Sequence, residues 1–241
     1  MLSSAFFTIA FAVAALSHPM KRQTNGGSAV ITACTVPNTA AITFDDGPYI
    51  YPEQIVSTLD ANNIKATFFV NGCIYDEAQV QAIKNAYSKG HQVSSHTWAH
   101  KDLPTLTLSE VDDEFTRVDQ ALEKILGVKT AFMRPPYGNY SATVLQIAKE
   151  HNQNVIIWDF DSGDSVGVSV AQSDTKYDAL ATSHPNTILT LNHETYGHTT
   201  VLPHAIQVLK AAGYNLVTVA ECLGLPSYLN IGQAGMKDVR I

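Results

Sequence analysis

Residues 41–48 read Ala41-Ile42-Thr43-Phe44-Asp45-Asp46-Gly47-Pro48, a short apolar run that ends in two adjacent carboxylates and a turn. The run 41–44 lacks the polar alternation of a half-exposed strand and reads as a strand covered on both faces. Asp-Gly-Pro is turn chemistry. Pro52 then stands at a first helical position ahead of Ile55, Val56 and Leu59. The order of strand, polar turn and helix recurs along the chain. Further β-rich runs occupy residues 66–70, 92–95, 131–134, 154–158, 187–191 and 215–220.

The helices between these runs have readable ends. Val80 and Ile83 lead into a helix stopped by Gly90. Thr107-Leu108-Ser109-Glu110 is a capping box that opens a helix with Val111, Phe115, Val118, Leu122 and Ile125 on one face, and Gly127 closes it. Ser141 or Asn139 caps a helix through Val144 and Ala148, residues 168–182 form another, and Ile206 and Leu209 lie in the last, ended by Gly213. Strand–helix alternation repeated about seven times predicts an α/β fold built on a parallel sheet. A closed barrel with one strand fewer than the usual eight is the expected form, and an open doubly wound sheet is the alternative. No glycine-rich phosphate loop follows any strand, which counts against nucleotide binding.

Of the 241 residues 45% are hydrophobic and 15% charged, a composition that builds a packed core and excludes a disordered chain. Lys and Arg number 15 against 22 Asp and Glu, and the net charge of −7 argues against a nucleic-acid ligand, which needs a basic face. Residues 5–16 are apolar apart from one threonine. Such a run is too short to span a bilayer, which takes about 20 residues, and fits a secretory signal with Ala15 and Ser17 before a cleavage point at His18. Lys21-Arg22 reads either as a dibasic processing site or as an ordinary solvated pair. The expected organisation is a signal peptide over 1–17, a short propeptide over 18–22 and a single domain over 23–241. No later apolar stretch reaches membrane length, so the product is expected to be secreted, without membrane contact, and to act as a monomer. Of the three cysteines, Cys34 precedes the first strand and Cys222 follows the last. If the sheet closes on itself those ends meet, so these two are expected to pair, leaving Cys73 over.

The polar residues collect where strands end. Asp45-Asp46 follows the first strand, His96 and His100 the third, Arg134 ends the fourth, Asp159, Asp161 and Asp164 follow the fifth, and His193-Glu194 the sixth. In parallel barrels that rim carries the active site. Two histidines four apart on a helical turn, joined by a carboxylate from another strand, would make a metal site of two imidazoles and one carboxylate. His193, with an Asp beside it, suits a general acid.

Five motifs, Thr43-Phe44-Asp45-Asp46-Gly47-Pro48, His96-Thr97-Trp98-Ala99-His100, Arg134-Pro135-Pro136-Tyr137-Gly138, Asp161-Ser162-Gly163-Asp164 and Leu191-Asn192-His193, follow one another in a familiar order. On them the sequence resembles the polysaccharide deacetylases with a NodB-homology domain, the family-four carbohydrate esterases, and within these the fungal chitin deacetylases. The resemblance covers about residues 34–223. It implies a distorted TIM-like (β/α) barrel of about seven parallel strands, a divalent metal (zinc, with cobalt accepted by the same ligands) and hydrolysis of N-acetyl groups on chitin or N-acetylglucosamine oligomers. Carried over residue by residue, Asp46, His96 and His100 would hold the metal. Asp45 would be the general base, steadied by Arg134, and His193 the general acid. Asp164 would orient His193, with Asp161 the rival, and the Tyr137 N–H would bind the oxyanion. Ser165 stands where the family commonly has an aromatic residue. Trp98, Tyr137, Tyr140 and Tyr196 are candidates for stacking on sugar faces, whereas Trp158 reads as packing. Acetylxylan, peptidoglycan and poly-N-acetylglucosamine are alternative substrates, and a catalytically silent chitin binder is the alternative of another class.

Overall fold

The computed structural model describes residues 29–49, 51–72, 74 and 76–234, and for Tyr196, Gly197 and His198 the backbone alone. The expected signal peptide, the Lys21-Arg22 pair, Cys73 and the Tyr196 side chain therefore lie outside the described residues.

The chain runs through β1 (Val30–Ile31), β2 (Thr39–Ala41) and β3 (Thr43–Gly47) into α1 (Pro52–Ala61). It continues through β4 (Thr67–Val70), α2 (Glu77–Ser88), β5 (Gln92–Ser95) and α3 (Leu108–Leu126). Next come β6 (Val128–Thr130), β7 (Phe132–Met133), α4 (Ala142–Glu150), β8 (Asn154–Ile156), β9 (Phe160–Asp161) and α5 (Val170–Ser183). The last part holds β10 (Thr187–Leu191), α6 (Tyr196–Ala211), β11 (Asn215–Val217), α7 (Val219–Leu223) and β12 (Tyr228–Ile231). One sheet has the order β1-β8-β7-β5-β4-β3 and a second β11-β2-β10-β9. Their pairings are parallel throughout. Only Ile42 separates β2 from β3, so one stretch of chain serves both sheets. A parallel bridge between Asp45 and His193 ties them again at the rim. This is the distorted (β/α) barrel that the sequence predicts, with its main core of Ile42, Phe44, Phe68, Val93, Leu122 and Ile188 between strands and helices.

Local chemistry explains the element ends. Thr107 and Glu110 complete their capping box, and Val111, Phe115, Val118, Leu122 and Ile125 are all buried along α3. Each such side chain contributes roughly 1.5–3 kcal/mol through removal from water. Gly127 ends α3 at φ +74, and a Cβ there would lie 2.7 Å from the Gly232 carbonyl oxygen, so the position needs both a left-handed backbone and no side chain. Ser141, not Asn139, caps α4 by accepting the Val144 N–H.

Three expectations are corrected. The run at 215–220 divides, because Thr218 and Glu221 form a capping box that starts α7 at Val219. The run at 131–134 shrinks to β7, while residues 128–130 pair antiparallel with β12. Residues 30–31, which lie ahead of every β-rich run read from the sequence, add a strand beside β8. The segments before the first expected strand and after the last do meet. β11 pairs with β2, and Cys34 is bonded to Cys222 across a sequence separation of 188.

Candidate active site

Asp45 and Asp46 are neighbours with different fates. Asp45 continues β3 and is 2% exposed. Asp46 adopts φ +66 and swings its carboxylate out toward the rim, a conformation that Asp tolerates better than most residues. A buried carboxylate needs a partner. Arg134, wholly buried, donates from Nη1 to Asp45 Oδ1 at 2.8 Å and to Thr43 Oγ1 at 2.6 Å. Its Nη2 donates to the Ile157 carbonyl at 2.9 Å, and its guanidinium lies 4.3 Å from the centre of the Phe69 ring. Burial pulls the guanidinium pKa down, and Asp45 opposes that pull.

His96 and His100 meet Asp46 through Nε2, at 3.3 and 3.1 Å from Asp46 Oδ1. They do not sit on a helical turn. Residues 96–100 form an irregular bend in which Thr97 and His100 have positive φ. Three contacts hold that bend. Gly72 donates to the Trp98 carbonyl at 2.8 Å, the buried Glu114 accepts the Ala99 N–H at 2.6 Å, and Trp98 is sunk in the core at 5% exposure with the Arg117 guanidinium 4.2 Å from its ring centre. The expectation that Trp98 stacks on sugar is thus corrected, since its ring is spent on anchoring the loop that carries His96 and His100.

The donor set fits a divalent cation. Ligand atoms of Asp46, His96 and His100 all lie within 4.8 Å of one another. His96 Nδ1 lies 2.8 Å from the Arg134 carbonyl, which can only accept, so Nδ1 carries a proton and Nε2 is the nitrogen turned toward the ligand set. Burial alone would raise the Asp46 pKa, but hydrogen bonds from His100 and His96 and their charges hold the carboxyl well below the usual range. The same hydrogen bond raises the His100 pKa against burial.

His193 stands on the other side. Its Nδ1–H donates to Asp164 Oδ1 at 2.8 Å and its backbone N–H to Asp164 Oδ2 at 2.7 Å. Asp161 turns away and accepts the Gly163 N–H at 2.7 Å, so Asp164 is the partner of His193. Burial lowers the His193 pKa, yet the Asp164 hydrogen bond and the charges of Asp45, Asp164 and Asp46 prevail and raise it. Asp159 is not part of this group. It accepts the Leu189 N–H at 2.7 Å.

A cleft of about 430 Å³ beside these groups is lined by Asp46, Tyr49, Asp164, Ser165, His193, Glu194 and Thr195. Tyr137 is 64% exposed, at φ +59, with its ring edge-on to His100 at 4.8 Å, and Tyr140 is 42% exposed. Trp158 is half-buried and packs its ring close over Gly138, with the Arg134 guanidinium 5.6 Å from the ring centre. Sequence reasoning assigned no role to two residues here, Tyr49 and Glu194. Tyr49, 64% exposed, has an aromatic ring directly after the Asp-Gly-Pro turn as its signal. Glu194 is 5% exposed, and burial pushes its carboxyl up to about 7, against the hydrogen bond from the Tyr49 N–H and helped by Asp46.

A parallel barrel whose rim joins two imidazoles and a carboxylate that could hold a metal to a buried Asp–Arg pair and a carboxylate-held His has the groups that metal-assisted hydrolysis needs. Residues 32–156 match the polysaccharide deacetylase family model. The chain is 35% identical over 237 residues to a chitin deacetylase of Pestalotiopsis, covering 93% of this chain and 77% of that protein. It is 38% identical over 209 residues to a probable peptidoglycan-N-acetylglucosamine deacetylase of Arthroderma benhamiae, covering 82% of this chain and 46% of that one. The structure of the chitin deacetylase from Colletotrichum lindemuthianum superposes with a TM-score of 0.79 at 30% identity, covering 83% of this chain and 93% of the other. The chain belongs to the polysaccharide deacetylase family.

Proposed function

We propose that the protein hydrolyses N-acetyl groups of chitin or chito-oligosaccharides, releasing acetate and leaving glucosamine units. The single observation that carries this reading is the pairing of roles around the ligand triad. Asp45, backed by Arg134, stands 3.8 Å from His96 Nε2, and His193, backed by Asp164, lines the cleft together with Asp46. A divalent cation bound by Asp46, His96 and His100 would polarise the acetamide carbonyl and make water more acidic. Asp45 takes the proton of the attacking water as its oxygen bonds to the acyl carbon. The Tyr137 N–H stabilises the charge that builds on the carbonyl oxygen. His193 gives its proton to the amide nitrogen as the C–N bond breaks, so the sugar leaves as a neutral amine. Zinc is the proposed metal, and cobalt suits the same donors. Tyr49, Tyr137 and Tyr140 are the proposed sugar-facing rings. The apolar run at 5–16 and the disulfide support secretion. The named chitin deacetylases among the relatives favour chitin over acetylxylan, and the peptidoglycan-type relative keeps that polymer as the second reading. Acetate release from chitin oligomers, compared with peptidoglycan and acetylxylan at equal acetyl concentration, tests the choice. A preference for either of the others overturns it.

The role of His193 carries a pH signature. A general acid works protonated, so kcat falls as pH rises through its pKa, and the raised pKa extends activity upward. Asp164→Asn removes the negative charge that helps raise it and leaves one neutral oxygen for the two N–H groups that Asp164 serves. The alkaline limb of the kcat–pH profile is therefore expected to move down by about one pH unit. An unmoved limb would assign the proton to another group.

A further inference from the structure

Glu194 has no part in the steps above, yet it occupies a costly position. Glu194, 5% exposed, lines one small, largely apolar cavity together with Pro48, Pro52, Phe68 and Val70. Burying a carboxyl group loses free energy unless its hydrogen bonds are used. Its Oε2 accepts the Tyr49 N–H at 3.1 Å, and its own N–H reaches the Asp45 carbonyl at 3.4 Å. Between those contacts lies Gly47. A Cβ there would fall 1.9 Å from Glu194 Oε1 and 2.4 Å from its Cδ, so the carboxyl fills the space that the missing side chain leaves. Glu194 thus grips the turn at residues 45, 47 and 49, on both sides of Asp46. Asp46 itself is held at a positive φ that costs of order 1–3 kcal/mol and persists only where its surroundings over-determine it.

We propose that Glu194 is a positioning residue for the metal-side turn: its carboxyl, seated on Gly47 and the Tyr49 N–H, keeps the Asp46 carboxylate aligned with His96 and His100. The inference rests on the reading of those three residues as ligands. Because Glu194 follows His193 directly, one short segment then orients both the general acid and the metal side of the cleft.

The test is calorimetric titration of zinc into the metal-stripped full chain, with melting of the stripped protein as the structural control. Glu194→Met fills the same space without an acceptor and is expected to weaken zinc binding about tenfold, whereas Glu194→Gln keeps an oxygen for the Tyr49 N–H and is expected to stay within about threefold of wild type. A merely structural role would lower the melting temperature of the stripped protein and leave zinc affinity unchanged. Should Glu194→Met not fold, Gly47→Ala and Glu194→Ala are compared singly and together. Both break one contact, so the double variant is expected to lose no more affinity than the worse single one, and additive losses overturn the inference. Wild-type protein that binds zinc, with Glu194→Met binding it equally well, overturns the positioning role alone. Wild-type protein that binds no zinc overturns the ligand reading and this inference with it.

Discussion

His193→Ala is expected to lower kcat for acetate release by about 10²–10⁴-fold, the usual contribution of a general acid, with zinc affinity close to wild type. The imidazole is the proposed proton donor to the leaving nitrogen, and an unprotonated amine departs badly. The fold should survive the change. Asp164 is nearly buried and loses one of its partners, but the backbone N–H of residue 193 still donates to Asp164 Oδ2 at 2.7 Å. The stability loss is accordingly expected to stay near about 1–3 kcal/mol, the range for one lost buried hydrogen bond. Steady-state kinetics beside urea unfolding separates the two effects. A fall in kcat of less than about tenfold would show that the proton comes from elsewhere.

Arg134→Met should have the largest effect on stability, about 3–5 kcal/mol by urea unfolding, because it strands the Asp45 carboxylate inside the protein. Arg134 is wholly buried and its two terminal nitrogens serve Asp45, Thr43 and the Ile157 carbonyl at once. Arg134→Lys should rescue little, since a single ammonium cannot reproduce that fork. Adding Asp45→Asn to Arg134→Met removes the stranded charge, so the double variant is expected to be more stable than Arg134→Met alone. A loss below about 1 kcal/mol for Arg134→Met would mean that the pair is not the buried, mutually dependent unit described here.

The parts of this molecule legible in the sequence are those where one short segment carries its own reason. Residues 41–48 combine a doubly buried strand with a charged end, although the strand divides at Ile42 and runs on to Gly47, and Thr107–Glu110 closes its own cap as expected. Spacing alone brought His96 and His100 to one place, though by the wrong device. The bend that joins them depends on Glu114 and on the burial of Trp98, contacts made across the fold and invisible in a five-residue motif. Asp161 and Asp164 could not be ranked from a loop that holds both, because the choice turns on Asp161 folding back onto the Gly163 N–H. Strands of two residues such as β1 and β9 are too short to show any periodicity. Glu194 was hidden for a related reason. Its meaning lies in the space left by Gly47, nearly 150 positions earlier in the chain.

The central claim is that Asp46, His96 and His100 hold a metal on which N-deacetylation depends. The most direct measurement is acetate release from chitin oligomers by residues 23–241, before chelation, after it, and after zinc is restored. Activity that disappears on stripping and returns with zinc, but not in His96→Ala, is the expected result. Folded protein that releases acetate equally well without metal, or that takes up zinc and releases none, would contradict the account.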